Sequence, residues 1–345
     1  MSLPSPRGPL SQALLDVLVH GADVDPLVAA ARRVVPGRSA EDVFSDDDLQ
    51  LALYLMYELH YGGLPGVDDG WEWDPGLITA RGLLERLLES AIRSVAAPTA
   101  GTVKSLPQHL FAMTAADTGP SLAAYVARRA TLEQVRELLI MRSPYQLKEG
   151  DPQTFAIPRL RGRAKAALVE IQSDEYGGGR LDRMHATLFA TSMRALGLDD
   201  APGAYLDQVP AVVLASHNAL SLFALHRRLR GALCGHLAAF EMTSSLPAKR
   251  WVSGMQRLGL STDASEFFDE HVEADAVHEQ IAAHDLCGAL VATEPGLLDD
   301  VLLGAATCLA MDAAVAAHAL DAWAAGRSAL RHRSTLHRLQ DRSSA

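Results

Sequence analysis

Cysteine is scarce in this chain, and the few that occur do not suggest a pairing. Cys234, Cys287 and Cys308 lie far apart in apolar contexts. They form neither a zinc-type pair nor a disulfide framework, so a reducing, cytoplasmic setting is expected. Positive charge is also in short supply. The net charge is −11, and basic residues gather only near the C-terminus. That excludes the cationic footprint that nucleic-acid binding requires. Long hydrophobic runs are missing as well: the longest, from Val301 to Met311, meets Asp312 before it could span a bilayer, so a buried core helix and no membrane partner are expected. The opening MSLPSPRGPLSQALLDVLVH has no uninterrupted apolar segment behind a basic start, and it is not read as a signal peptide. Aromatic residues make up only 6% and β-branched residues are sparse, which argues against sheet.

What remains is Ala and Leu recurring at helical spacing, and an all-α protein follows. A chain of 345 residues can bury a full core, in one large or two modest domains. Composition divides it into an N-terminal helical region (1–142), a bundle (143–325) opened by the Pro- and Gly-rich connector SPYQLKEGDPQTFAIP, and a basic tail (326–345) read as solvated or subunit-contacting. Within these, a helix should start at the acidic cap Ser45–Asp48 and run to about Tyr61, where Gly62 and Gly63 stop it. One long helix should cover Ala211 to about Ser245, and a last one Leu297–Trp323. Gly231 and Gly235, four apart, permit a close approach by another helix.

Several polar residues stand where a simple helical protein would not put them. The stripe Ala164, Leu168, Ile171 of one helix continues onto Glu175, and a carboxylate at a core position is costly unless paired or bound to a metal. Glu241 sits near a helix C-terminus, the wrong end for a negative charge unless a cation compensates. In FFDEHVEADAVHEQIAAHD, His271, Asp275 and His278 are spaced four and three apart, on one face of a helix. Two imidazoles and a carboxylate suit a transition metal. With His185, and with Glu149 as a further carboxylate, the inventory is that of a dinuclear iron site in a helical bundle. Glu58 and His60, two apart and so pointing in different directions, are expected to be structural or to support ligands from behind, and His226, His236 and His284 to be structural. Asp285, two heptads after His271, and Asp312, alone on an apolar helix, are candidates for orienting the histidines.

The motifs ALVEIQSDEYGGG with RMH, then GHLAAFE, then HVEADAVH, in that order, resemble those of the haem-oxygenase-like diiron oxidases and oxygenases, the iron-containing redox enzymes. The resemblance covers about residues 50–325. It implies a haem-oxygenase-like bundle of about seven core helices, two iron ions cycling between Fe(II) and Fe(III), O₂ as co-substrate, a small-molecule substrate and an external electron donor, with a homodimer as one assembly. Carried over by position, it places Glu175, His185, Glu241 and His271 around one iron and Asp275 and His278 at the other, with Glu241 and Glu175 reaching across. Glu149 falls where the N-oxygenating members place an extra carboxylate that the carbon-cleaving and desaturating members lack. Three readings stay open: N-oxygenation of an amine or guanidine in an amino-acid-like metabolite, oxidation at carbon, and a non-catalytic metal-binding protein of the same fold.

Overall fold

The computed structural model describes residues 3–34, 37–96 and 103–331, except the side chains of residues 273–276. Among these residues the fold is helical throughout, with no strand. The basic tail, apart from its first six residues, and the polar break at residues 97–101 lie outside the described residues.

The N-terminal flank comprises α1 (Pro9–His20), α2 (Asp25–Arg33), α3 (Ala40–Phe44), α4 (Asp47–Glu58) and α5 (Pro75–Val95). Next come α6 (Leu106–Ala115), α7 (Leu122–Arg128), α8 (Leu132–Gln146), the single turn α9 (Asp151–Thr154), α10 (Gly162–Glu175) and α11 (His185–Ala195). The chain closes with α12 (Ala211–Leu225), α13 (Arg230–Met242), α14 (Ser245–Arg257), α15 (Thr262–Gln280), a π-helical segment (Ile281–Gly288), α16 (Ala289–Thr293) and α17 (Leu298–Ala324).

Local sequence explains the main boundaries. The Asp46 carboxylate accepts from the backbone N–H groups of Asp48 and Leu49 and so caps α4. The α4 stretch Leu49–Tyr57 is buried all round, because α1 packs on one side of it and α12 on another. Thr131 and Gln134 form a reciprocal capping box at the start of α8. The expected break at Pro144 does not occur. Pro144 lies inside α8, and the Pro- and Gly-rich connector begins only after Gln146. The single helix expected from Ala211 to Ser245 is also two, since the chain turns at His226 and passes through a 3-10 turn into α13.

Helices α13 and α17 approach each other backbone to backbone. A Cβ added at Gly235 would lie 1.9 Å from the Val301 carbonyl oxygen, and one at Gly304 would lie 1.9 Å from that of Ala232. Hydrogen is therefore the only side chain that fits at either contact. The helix from Pro295 to Ala324 is long and apolar enough, by length and composition alone, to cross a membrane. Here it packs along α13 and α12 and buries Val301, Ala305, Cys308, Ala316 and Ala319, so it is a central helix of the bundle.

Candidate metal centre

Among the described residues, six buried side chains from five parts of the chain meet inside the bundle, in two groups of three: Glu149, His185 and His271, and Glu175, Glu241 and His278. Two glycines let the backbone deliver them. Gly150 adopts φ +90°, and a Cβ there would press to 3.2 Å from Glu175 Cβ, so the turn carrying Glu149 can lie against the end of α10. The Gln172 amide fixes that turn by donating to the Gly150 carbonyl at 2.6 Å. Gly177, at φ +63°, would bring a Cβ within 2.6 Å of the Arg183 backbone. The chain doubles back there and sets His185, first residue of α11, beside Glu175. Arg183 then bonds both oxygens of Glu270, at 2.7 and 2.8 Å, tying the His185 loop to the helix that carries His271.

The two groups touch through Glu175, whose Oε2 lies 3.0 Å from His185 Nδ1. His271 Nε2 is 3.9 Å from Glu149 Oε1, and His278 Nδ1 is 3.4 Å from Glu241 Oε2. The His271 ring packs against those of His185 and Phe267, at centroid distances of 4.4 and 4.3 Å.

Imidazole orientation is set from behind. His271 Nδ1 is 2.6 Å from the Phe267 carbonyl, which can only accept, so Nδ1 carries the proton and Nε2 presents a lone pair to the Glu149 side. His278 Nε2 is held by Asp174 Oδ2 at 3.0 Å, leaving Nδ1 toward Glu241. This carboxylate–histidine pairing is the support metal-ligating histidines usually receive.

Burial, and then the charge of Glu175, push the Glu149 carboxyl up to about 8. Burial opposes protonation of His185, but Glu175 outweighs it and raises that imidazole to about 9. His278 rises to about 9 in the same way, against burial, through Glu241 and Asp174. His271 is pushed down to about 3, chiefly by burial and then by the charge of His185. Burial would raise Glu175, but its histidine neighbours hold it below the ordinary carboxylate range.

The donors fit a metal. Glu149 Oε2, Glu175 Oε2, His185 Nδ1 and His271 Nε2 are buried without a hydrogen bond of acceptable geometry among the described residues, an expensive arrangement for purely structural groups. Imidazole nitrogens mixed with carboxylate oxygens are the donors that iron accepts.

The sequence-derived set is thus largely brought together, with a different partition. Glu149 stands with His185 and His271, while Glu241 stands with Glu175 and His278. The Asp275 side chain lies outside the described residues. Neither acid expected to orient a histidine does so. Asp285 pairs with Arg163 at 2.5 Å, because the π-helical segment that begins at Ile281 shifts the register on which the two-heptad reading depended. Asp312 makes no hydrogen bond to a histidine among the described residues, and its carboxyl responds to burial and to Arg142. The orienting carboxylate is Asp174, which sequence reasoning passed over; its one signal is adjacency to Glu175 at the end of α10. His60 and Glu58 lie elsewhere, with Arg81 and Glu72 and with Lys148 respectively. His226 pairs with Glu85.

A family model described as iron-containing redox enzyme matches residues 136–313, just over half of the chain and a span containing all six grouped side chains. The chain belongs to this haem-oxygenase-like family of iron-containing redox enzymes. None of the curated proteins compared with it matches.

Proposed function

We propose that the two groups hold one iron each and that the protein is a non-haem diiron, O₂-dependent oxygenase acting on the amine or guanidine nitrogen of an amino-acid-like metabolite. The observation that carries the reading is the pair of three-residue donor groups joined at Glu175. Glu149, His185 and His271 would hold one ferrous ion and Glu175, Glu241 and His278 the other, and the pair would supply reductive activation of O₂ with electrons from an external donor. The chain's own part is to present unprotonated nitrogen and carboxylate lone pairs, to fix them through Phe267 and Asp174, and to keep bulk water away with the Phe189 and Phe267 rings, which pack edge to face at 5.1 Å. Placement of Glu149 beside both His185 and His271 supports oxidation at nitrogen over oxidation at carbon, since the resemblance assigns this position the extra carboxylate of the N-oxygenating members.

Anaerobic titration of the metal-free protein with Fe(II) should saturate at two equivalents. Exposure to O₂ with candidate amines should then give an N-oxygenated product. Saturation at one equivalent or none would refute the dinuclear reading. Full activity in Glu149→Ala, with both irons retained and no N-oxygenated product from any amine, would refute the nitrogen reading.

A further inference from the structure

Lys148, the residue before Glu149, is held from outside the metal centre. Its ammonium pairs with the Glu58 carboxylate at the end of α4, and both side chains are mostly buried, each 14% exposed. The same ammonium lies over two aromatic rings, 5.1 Å from the centroid of Tyr54 and 4.2 Å from that of Tyr61. Each ring is fixed in turn. The Tyr61 hydroxyl donates to Ser221 Oγ at 3.1 Å, and the Tyr54 hydroxyl donates to the Pro144 carbonyl at 3.2 Å. That carbonyl belongs to the last turn of α8, where the Lys148 amide goes instead to the Tyr145 carbonyl at 2.8 Å. A lysine on a flexible four-carbon stem is thereby confined to one position.

The far side of the same turn is fastened to α10. Gln172 Nε2 donates to the Gly150 carbonyl and to Thr154 Oγ1, both at 2.6 Å, and the Tyr176 hydroxyl donates to Asp151 Oδ1 at 2.7 Å. Glu149 is the middle of this doubly fastened segment, and its own bonds do not fix it. Its Oε2 is buried without a hydrogen bond among the described residues, and its Oε1 stands 3.9 Å from His271 Nε2, beyond hydrogen-bond reach. A carboxylate in that situation takes its place from its neighbours in the chain. Tyr54, Glu58 and Tyr61 precede the span that the family model matches, so the N-terminal flank supplies one of the two fastenings.

We infer that Lys148 and Glu58 are positioning residues for Glu149. Their ion pair sets where the Glu149 carboxylate stands beside His185 and His271, and hence how tightly that group holds a metal ion. The inference rests on the metal centre proposed above, and metal binding by the unaltered protein tests that centre separately.

The test is anaerobic calorimetric titration of the full-length, metal-free protein with Fe(II). Lys148→Met should weaken one of the two binding events about tenfold to a hundredfold and leave the other unchanged. Lys148→Arg, able to pair with Glu58 and to stack on both rings, should bind as the unaltered protein does. Added to Glu149→Ala, Lys148→Met should change Fe(II) binding by no more than about twofold, since a residue acting through Glu149 then has nothing left to position. A general loosening of the fold would add its own loss. In the metal-free protein, amide hydrogen exchange over residues 147–151 should quicken in Lys148→Met while that of α13 does not. Removing Lys148 alone strands the Glu58 charge; if that protein does not fold, Glu58→Gln/Lys148→Met removes both charges together and takes its place in every arm. Two unchanged binding events in the variant would overturn the inference. So would an equal loss in both events, or a further loss on top of Glu149→Ala. An unaltered protein that binds no Fe(II) would refute the metal centre, and this inference with it.

Discussion

At the scale of single residues, the candidate metal-binding groups were legible where a polar residue broke an apolar pattern. Glu175 interrupts the stripe of α10, and it is buried where that stripe predicts. Asp174 gave no comparable sign, because an exposed acid at a helix end is ordinary; only the fold shows that its carboxylate meets His278. Two predictions belong here. Glu149→Ala removes the carboxylate that the first group has among the described residues, leaving His185 and His271, so iron content should fall from two equivalents toward one by metal analysis. Asp174→Asn keeps the shape but removes the charge behind His278, and Fe(II) affinity should drop about tenfold or more in a chelator competition while the metal-free protein melts normally.

At the scale of elements, helix identity followed from periodicity, but helix ends and joints did not. Pro144 sits in α8 where the sequence suggested a break, and the chain turns at His226 where continuous apolar spacing suggested none. The π-helical segment after α15 is the clearest case. Nothing in IAAHDLCG separates it from an α-helix, yet it re-aims Asp285 from the centre to Arg163. Gly235, by contrast, was legible as a point of close approach, and its partner α17 supplies Gly304 from the other side. Replacing either glycine by alanine drives a methyl group into a carbonyl oxygen and should cost about 3 kcal/mol of stability, read by chemical denaturation. A normal unfolding midpoint for both variants would mean that α13 and α17 are not in this contact. The half-buried Gly82, where an added Cβ would meet nothing within 4 Å, is the matched control.

At the scale of the whole molecule, a net charge of −11 and the three carboxylates that the two groups hold among the described residues pose one electrostatic problem, and protons are the solution in the absence of metal. Glu149, raised to about 8, and His185 and His278, each raised to about 9, are all protonated at neutral pH in the metal-free protein. Their folded values lie above the unfolded ones, about 4.5 for the carboxyl and about 6.5 for the imidazoles. Each therefore contributes stability that is complete below its unfolded value and is lost as pH rises through its folded value. The metal-free protein should accordingly lose melting temperature between pH 7 and pH 8.5. Fe(II) displaces those protons, so its binding should release acid into a weak buffer at pH 7 and grow tighter over the same interval. Iron-loaded protein kept anaerobic has no such protons to lose, and its melting temperature should stay level while that of the metal-free form falls. Parallel melting curves for the two forms across this interval would show that the six side chains do not exchange protons for metal.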